Sequence, residues 1–244
     1  MHKKTKIIIS IVLVVAILST TVIVAWSNSD SDSRNPLAIF RTNEPTPTPP
    51  PMDMPMKPVI YLYPTQTSDV TVLLNYNGVL DFTYPAYKNG WRVTAHPDGT
   101  LINHDDGKEY SYLFWEGHGA ANYDFSKGFV VRGEDTVAFL QDKLAYMGLS
   151  PNEYNEFIVY WFPRMQNNPH NLITFQGDAY TETAELIVTP QPDSVLRVFM
   201  AYKSLETPVE LPNQELLPFK RHGFTVIEWG GSKIFDDVEV SYIS

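Results

Sequence analysis

The chain predicts a mainly β domain of α+β class, an antiparallel sheet or sandwich with one inserted α-helix and one short helix. A single transmembrane helix precedes it. Three observations predict this. Residues 57–244 break into short runs rich in Val, Ile, Tyr, Phe and Thr, separated by turn signals. Within that region the period changes over residues 133–148, where apolar residues fall at helical spacing. Residues 7–26 carry no charge, and as a helix they would rise about 30 Å, the hydrocarbon thickness of a bilayer.

Lys3, Lys4 and Lys6 precede the apolar run, while Asp30 and Asp32 follow it. The positive-inside rule therefore places residues 1–6 in the cytoplasm and the C-terminal domain outside, in a single-pass signal-anchor topology. Trp26 stands where an interfacial anchor belongs. The competing reading is a cleaved signal peptide ending at Ala25, but Ile23 is poorly suited to the small-residue position before the cut. Residues 27–56 are a Pro- and Ser-rich extracytoplasmic linker. Its "EPTPTPPPMDMP" favours extended polyproline II over packed structure.

The domain opens with "KPVIYLYP", where Val59, Tyr61 and Tyr63 alternate with Ile60 and Leu62. "DVTVLLNYNGVLDFTYP" gives two strands joined by a hairpin-type turn at Asn77-Gly78. "GWRVTAHPDGTLIN" gives a pair around Pro97-Asp98-Gly99, and Asp105-Asp106-Gly107 turns the chain into "EYSYLFWEG". In "GEDTVAFLQDKLAYMG", Val137, Leu140, Leu144 and Met147 fall at helical spacing, and Gly148 supplies the stop. Ser150-Pro151-Asn152-Glu153 is a capping box with proline at the first position, opening a helix expected to end near Asn155. "EFIVYWFP" reads as a central strand. "NLITFQ", "AELIVTP", "SVLRVFMAY" and "FTVIEWGG" supply four more, two of them linked by a short hairpin at Pro190–Asp193.

The formal net charge is −10. The first 56 residues hold five Lys/Arg and four Asp/Glu, which leaves 13 basic and 24 acidic residues, net −11, in 57–244. A domain that acidic does not track a phosphate backbone, so nucleic acid is not an expected partner. The chain has no cysteine, which removes disulfides, thiolate metal sites and a Cys nucleophile. A cysteine-free exported domain without an Asn-x-Ser/Thr sequon suits a bacterial cell surface. The expected partners are the lipid bilayer, through residues 7–26, and a wall or extracellular polymer.

In order along the chain, "KPVIYLYP", "GWRVTAHPDGTL", "YLFWEG", "NEFIVYWFP", "RVFMAY" and "FTVIEWGG" resemble an uncharacterised family of exported or membrane-anchored bacterial proteins. The resemblance spans about residues 57–231. It implies an identity and brings no activity with it.

Strand alternation decides where the candidate site residues point. In "SYLFWEG", Glu116 shares a face with Tyr112 and Phe114, and Trp115 takes the other. In "FTVIEW", Glu228 shares a face with Phe224 and Val226, opposite Trp229. Read as a strand, "EFIVYWF" places Glu156 with Ile158 and Tyr160. A buried carboxylate needs a partner. One reading makes Glu116 and Glu228 the acid and the nucleophile or base of a glycosidase-like hydrolase, with Trp91, Trp115, Trp161 and Trp229 as sugar platforms. The other leaves the protein a surface binding or structural module. Its acids then end strands and are satisfied by backbone N–H, Tyr hydroxyls or Arg197, which itself lies on a hydrophobic face between Val195 and Phe199. His96, Asp98, His104, Asp105 and Asp106 cluster in two turns, but no metal-ligand spacing joins them, and no metal is expected. Neither a nucleophile elbow nor a phosphate-binding glycine motif is present, and no cofactor is expected.

Overall fold

The computed structural model describes residues 56–119 and 122–235. The predicted transmembrane run 7–26, residues 1–6 and all of the linker but its last residue lie outside the described residues. Among the described residues, no helix is long and apolar enough to cross a membrane.

Among the described residues, twelve strands form two sheets. The seven-stranded sheet runs in the order β3 (Val79–Tyr84), β7 (Leu113–His118), β1 (Met56–Tyr63), β12 (Thr225–Lys233), β11 (Ser194–Leu205), β9 (His170–Gln176) and β8 (Phe129–Arg132). The five-stranded sheet runs β10 (Ala184–Thr189), β2 (Ser68–Tyr76), β4 (Trp91–Ala95), β5 (Leu101–Asn103) and β6 (Glu109–Tyr110). Among the same residues, three α-helices accompany them: α1 (Thr136–Met147), α2 (Pro151–Met165) and the one-turn α3 (Asp178–Thr181). The domain is thus mainly β, as the short β-branched runs predict.

The seven-stranded sheet is the middle of three layers. Ile60, Leu62, Trp115, Phe199 and Val226 pack on its inner face against Val72, Trp91 and Val93 of the smaller sheet. Val59, Tyr61, Met200, Ile227 and Trp229 pack on its other face against Leu140 and Leu144 of α1 and Phe157 and Trp161 of α2. Strands β1 and β12 are covered on both sides, which is why they read as nearly unbroken apolar runs. Helix α1 buries Leu140, Leu144 and Met147 as its spacing predicts, and Gly148 ends it at φ +105 in the left-handed region.

Four expectations change. First, "EFIVYWFP" is not a strand but the body of α2. Phe, Ile, Val, Tyr and Trp each favour strands, but the cap decides the segment. Pro151 opens the helix, and the Ser150 N–H donates to Glu153 Oε2 at 2.7 Å. Glu153, Phe157, Trp161 and Met165 then recur every four residues as the buried stripe. Second, Asn77-Gly78 turns the chain, yet β2 and β3 lie in different sheets, so no hairpin forms there. Third, the same holds at Pro190–Asp193, between β10 and β11. Turn chemistry fixes that the chain turns, not which neighbour it then pairs with.

Fourth, the larger sheet is mixed. Strands β11 and β12 are parallel, with Arg197 opposite Glu228, while every other pairing is antiparallel. Parallel neighbours need a crossover, and residues 206–224 supply it without regular structure. Gln214 stitches this crossover to β9, accepting from Phe175 N at 2.8 Å and donating to Phe175 O at 2.5 Å. Arg221 ties it to α2 by a two-pronged contact with the fully buried Glu153.

Candidate functional site

Glu228 is fully buried on the inner face of β12. Its Oε2 accepts from Arg197 Nε at 2.5 Å, and its Oε1 accepts from Trp115 Nε1 at 3.3 Å. Parallel pairing sets the acid and the base side by side. The Arg197 guanidinium also lies 4.8 Å from the centre of the Tyr180 ring. Burial opposes the arginine's charge, but the facing Glu228 carboxylate outweighs it, and the guanidinium is held more firmly protonated than usual. Burial, followed by the Glu228 charge, drives the Tyr180 phenol well above its ordinary range. The Tyr180 hydroxyl lies near both charges without a hydrogen bond of good geometry to either. The expectation of a buried Glu–Arg197 partnership is met at Glu228.

Glu116 lies on the opposite face of the same sheet. Its neighbours in β7, Leu113 and Trp115, point into the core between the sheets, while Phe114 packs on the helix side. Alternation puts Glu116 with Phe114. There burial raises its carboxyl above the ordinary value, partly offset by the Lys57 backbone N–H. A sheet therefore separates Glu116 from Glu228. Glycoside cleavage needs two carboxyls on either side of one bond, about 5–10 Å apart across an open site, and these two share no site.

The four tryptophans are not surface platforms. Trp91 is 1% exposed, and Trp115, Trp161 and Trp229 are fully buried. They divide between the two cores, Trp91 and Trp115 between the sheets, Trp161 and Trp229 under the helices. Large aromatic rings supply the most burial per residue, and this fold spends them inside.

Glu156 has a different setting from the one its strand reading implied. On α2 it reaches back to β1, where the Tyr61 hydroxyl donates to its Oε2 at 2.8 Å. This pair lies in the wall of an open groove of about 430 Å³ between β1, the β4–β5 turn and the first turns of α2. Tyr61 and Tyr63 stack along it, 6.1 Å apart and nearly parallel at 5°. Asn152 and Asn155 are exposed beside them, and Asp98 and Glu109 face from the other side. A smaller hollow of about 230 Å³ adjoins, lined by Tyr84 and Tyr112 and sharing Glu109 and Tyr110. The Tyr112 ring meets Tyr61 edge-on at 5.7 Å, so the aromatic lining is continuous.

Three features hold the groove. Gly99, at φ +94, closes the β4–β5 turn over Tyr63, where a Cβ would stand 2.8 Å from the ring. Tyr110 donates to Asp106 Oδ2 at 2.6 Å, and this contact is the main reason its phenol is pushed up to about 12. At the far end of β1, Lys57 Nζ sits 5.1 Å from the Trp229 ring, 5.4 Å from Tyr160 and 5.8 Å from Tyr112. Burial lowers the Lys57 pKa, and the Glu156 charge works against that. Burial and the Glu156 charge raise Tyr61, and burial and the Glu153 charge raise Tyr63, so both hydroxyls stay protonated donors. The groove thus offers the Tyr63 ring, the amides of Asn152 and Asn155, and carboxylate acceptors.

The turn acids and histidines are occupied in local contacts. Asp105 meets Arg92 and Lys88, Asp106 accepts from Asn103, and His104 contacts Thr94. Among the described residues no group of three or more His, Asp or Glu is placed to hold a metal ion. Sequence reasoning passed over Tyr61, Tyr63, Asn152 and Asn155 as site residues. One signal was available, since Tyr61 and Tyr63 share a face in "KPVIYLYP" and two polar amides follow the capping serine. Comparison with family models, curated proteins and solved structures finds no match to this chain.

Proposed function

We propose that this is a membrane-anchored, extracytoplasmic binding module without catalytic activity. Residues 7–26 anchor it, residues 27–56 hold the domain away from the bilayer, and the tyrosine-lined groove takes a segment of wall or extracellular polymer. The observation that carries this reading is the groove itself. The half-buried Tyr63, backed by the buried Tyr61 ring parallel to it, stands with Asn152, Asn155 and Glu156 along an open, polar trough. Flat rings and amide or carboxylate hydrogen bonding suit saccharide rings, which present apolar C–H faces and hydroxyl edges. The groove's charged lining residues, Asp98, Glu109 and Glu156, are all acids, although the Arg221 guanidinium stands 5.6 Å from the Tyr63 ring, and this balance suits an uncharged or amine-bearing polymer.

Separation of Glu116 from Glu228 by a sheet favours binding over cleavage. The test is binding of soluble wall-glycan fragments, neutral, deacetylated and acidic, to the full chain in a lipid nanodisc. Binding of the neutral or deacetylated fragments, lost in Tyr63→Ala, supports the proposal. Cleavage of any fragment, or binding that ignores the Tyr63 change, overturns it.

A further inference from the structure

The helix layer does not reach the edge of the larger sheet. Among the described residues, α1 and α2 pack over β8, β9, β11, β12 and β1, and the outer part of the same face, on β7 and β3, is left largely open. Register sets what stands there. Phe114 of β7 lies between Val59 of β1 and Tyr84 of β3, and Glu116 lies opposite Phe82. Directly opposed residues share a face, so Phe82, Tyr84 and Phe114 form an aromatic terrace beside the helices. Phe82 and Tyr84 are each 55% exposed, and the Phe82 and Phe114 rings meet at 5.7 Å. A contiguous patch of this kind marks an interaction surface.

The terrace continues the tyrosine groove. The hollow lined by Tyr84 and Tyr112 shares Glu109, Tyr110 and Ser111 with the groove. Tyr63, Tyr112, Phe114, Tyr84 and Phe82 therefore follow one another over three adjacent strands. From the level of Tyr63 to that of Phe82 is about 20 Å along the strands, at about 3.4 Å per residue. The groove itself presents chiefly the Tyr63 ring, and the terrace supplies the further platforms that a chain of sugars would need.

The surroundings favour this occupant over another protein strand or a second copy. Strand β3 lies at the sheet edge, but a bulge between Leu80 and Phe82 breaks its ladder and protects the edge against strand addition. A second copy would bring a domain of net charge −11 against itself, across a terrace bordered by Glu109 and Glu116. Exposed rings with acids at their margin suit the C–H faces of uncharged or amine-bearing sugars.

We propose that groove and terrace form one track, which binds a glycan along an internal stretch longer than a disaccharide, with successive sugar units on Tyr63, Tyr84 and Phe82. This rests on the reading of the groove as a glycan site and adds the length and course of the ligand.

The test titrates disaccharides and hexasaccharides of N-acetylglucosamine and of glucosamine into the full chain in nanodiscs. The natural protein should hold a hexasaccharide about tenfold or more tighter than the matching disaccharide. Phe82→Ala, a change at an exposed position, should remove that gain and leave disaccharide affinity unchanged, whereas Tyr63→Ala should weaken both lengths. Hexasaccharide binding that Tyr63→Ala weakens and Phe82→Ala does not overturns the track and leaves the groove standing. Equal affinity of the natural protein for both lengths also overturns the track, and this comparison needs no variant. Failure of every oligosaccharide to bind overturns the groove reading and the track together. Light scattering of the full chain in detergent covers the remaining occupant, since a dimer that Phe82→Ala dissociates would assign the terrace to a second copy and overturn the proposal.

Discussion

The Tyr61 hydroxyl and the Glu156 carboxylate, 95 residues apart in the chain, meet at 2.8 Å where β1 passes under α2. The contact joins the sheet to the helix layer in the wall of the tyrosine groove. It exists only because "EFIVYWF" is helical. As a strand, the same segment would carry Glu156 on a flat face with Ile158 and Tyr160.

The Arg197–Glu228 pair is buried on both sides, so removing one partner strands the other's charge. Arg197→Met or Glu228→Gln alone should lower stability by about 3–5 kcal/mol. The double change Arg197→Met with Glu228→Gln should cost much less than the sum of the singles. Urea denaturation of all four proteins gives the coupling, and additive losses would show that the two side chains do not depend on each other.

Arg221 anchors the 206–224 crossover through Glu153, which is fully buried while Arg221 is partly exposed. Arg221→Ala leaves a buried carboxylate with the Ser150 N–H as its remaining strong donor, and should cost about 3 kcal/mol. Glu153→Gln with Arg221→Ala should recover part of the loss. Failure of the second change to recover stability would place the cost in lost arginine packing instead.

Glu116 gives a pH signature. Burial raises its folded pKa above the ordinary value near 4.5. The folded protein therefore holds this proton more tightly than the unfolded chain does. Stability from this group is complete below about pH 4.5 and is lost as pH rises through the raised value. Glu116→Gln has no such loss, so the variant should gain on the natural protein between pH 4 and 7, as read by chemical denaturation. A constant difference across that range would mean that Glu116 sits in a solvent-like setting.

Gly99 tests how the groove is shaped. Gly99→Ala meets an unfavourable φ of +94 and a ring 2.8 Å away. It should destabilise by about 1 kcal/mol or more and move Tyr63. Near-ultraviolet circular dichroism together with urea denaturation reads both effects, and unchanged spectra with unchanged stability would refute the close approach.

How much of this was legible in the sequence depends on the range of the signal. Period-two alternation placed Trp115 and Glu116, and Trp229 and Glu228, on opposite faces, as the two cores show. A charge between Val195 and Phe199 demanded a partner, and Glu228 is that partner. The stripe Glu153, Phe157, Trp161, Met165 was also present, but its first member is an acid and its neighbours favour strands, so β propensity masked the helix. Asn77-Gly78 and Pro190–Asp193 gave turns correctly without saying that the chain changes sheets there. The groove was least visible. Its walls come from residues 61–63, 98–111 and 152–156, and only the three-layer packing brings them together.

The most direct test of the central claim is the affinity of the full chain for uncharged or amine-bearing wall-glycan fragments, compared between the natural protein and Tyr63→Ala. Loss of one aromatic platform should weaken binding by about tenfold, the equivalent of about 1.4 kcal/mol, with the fold intact. Equal affinity in the two proteins, or no binding to any wall fragment, would contradict the groove as the functional site.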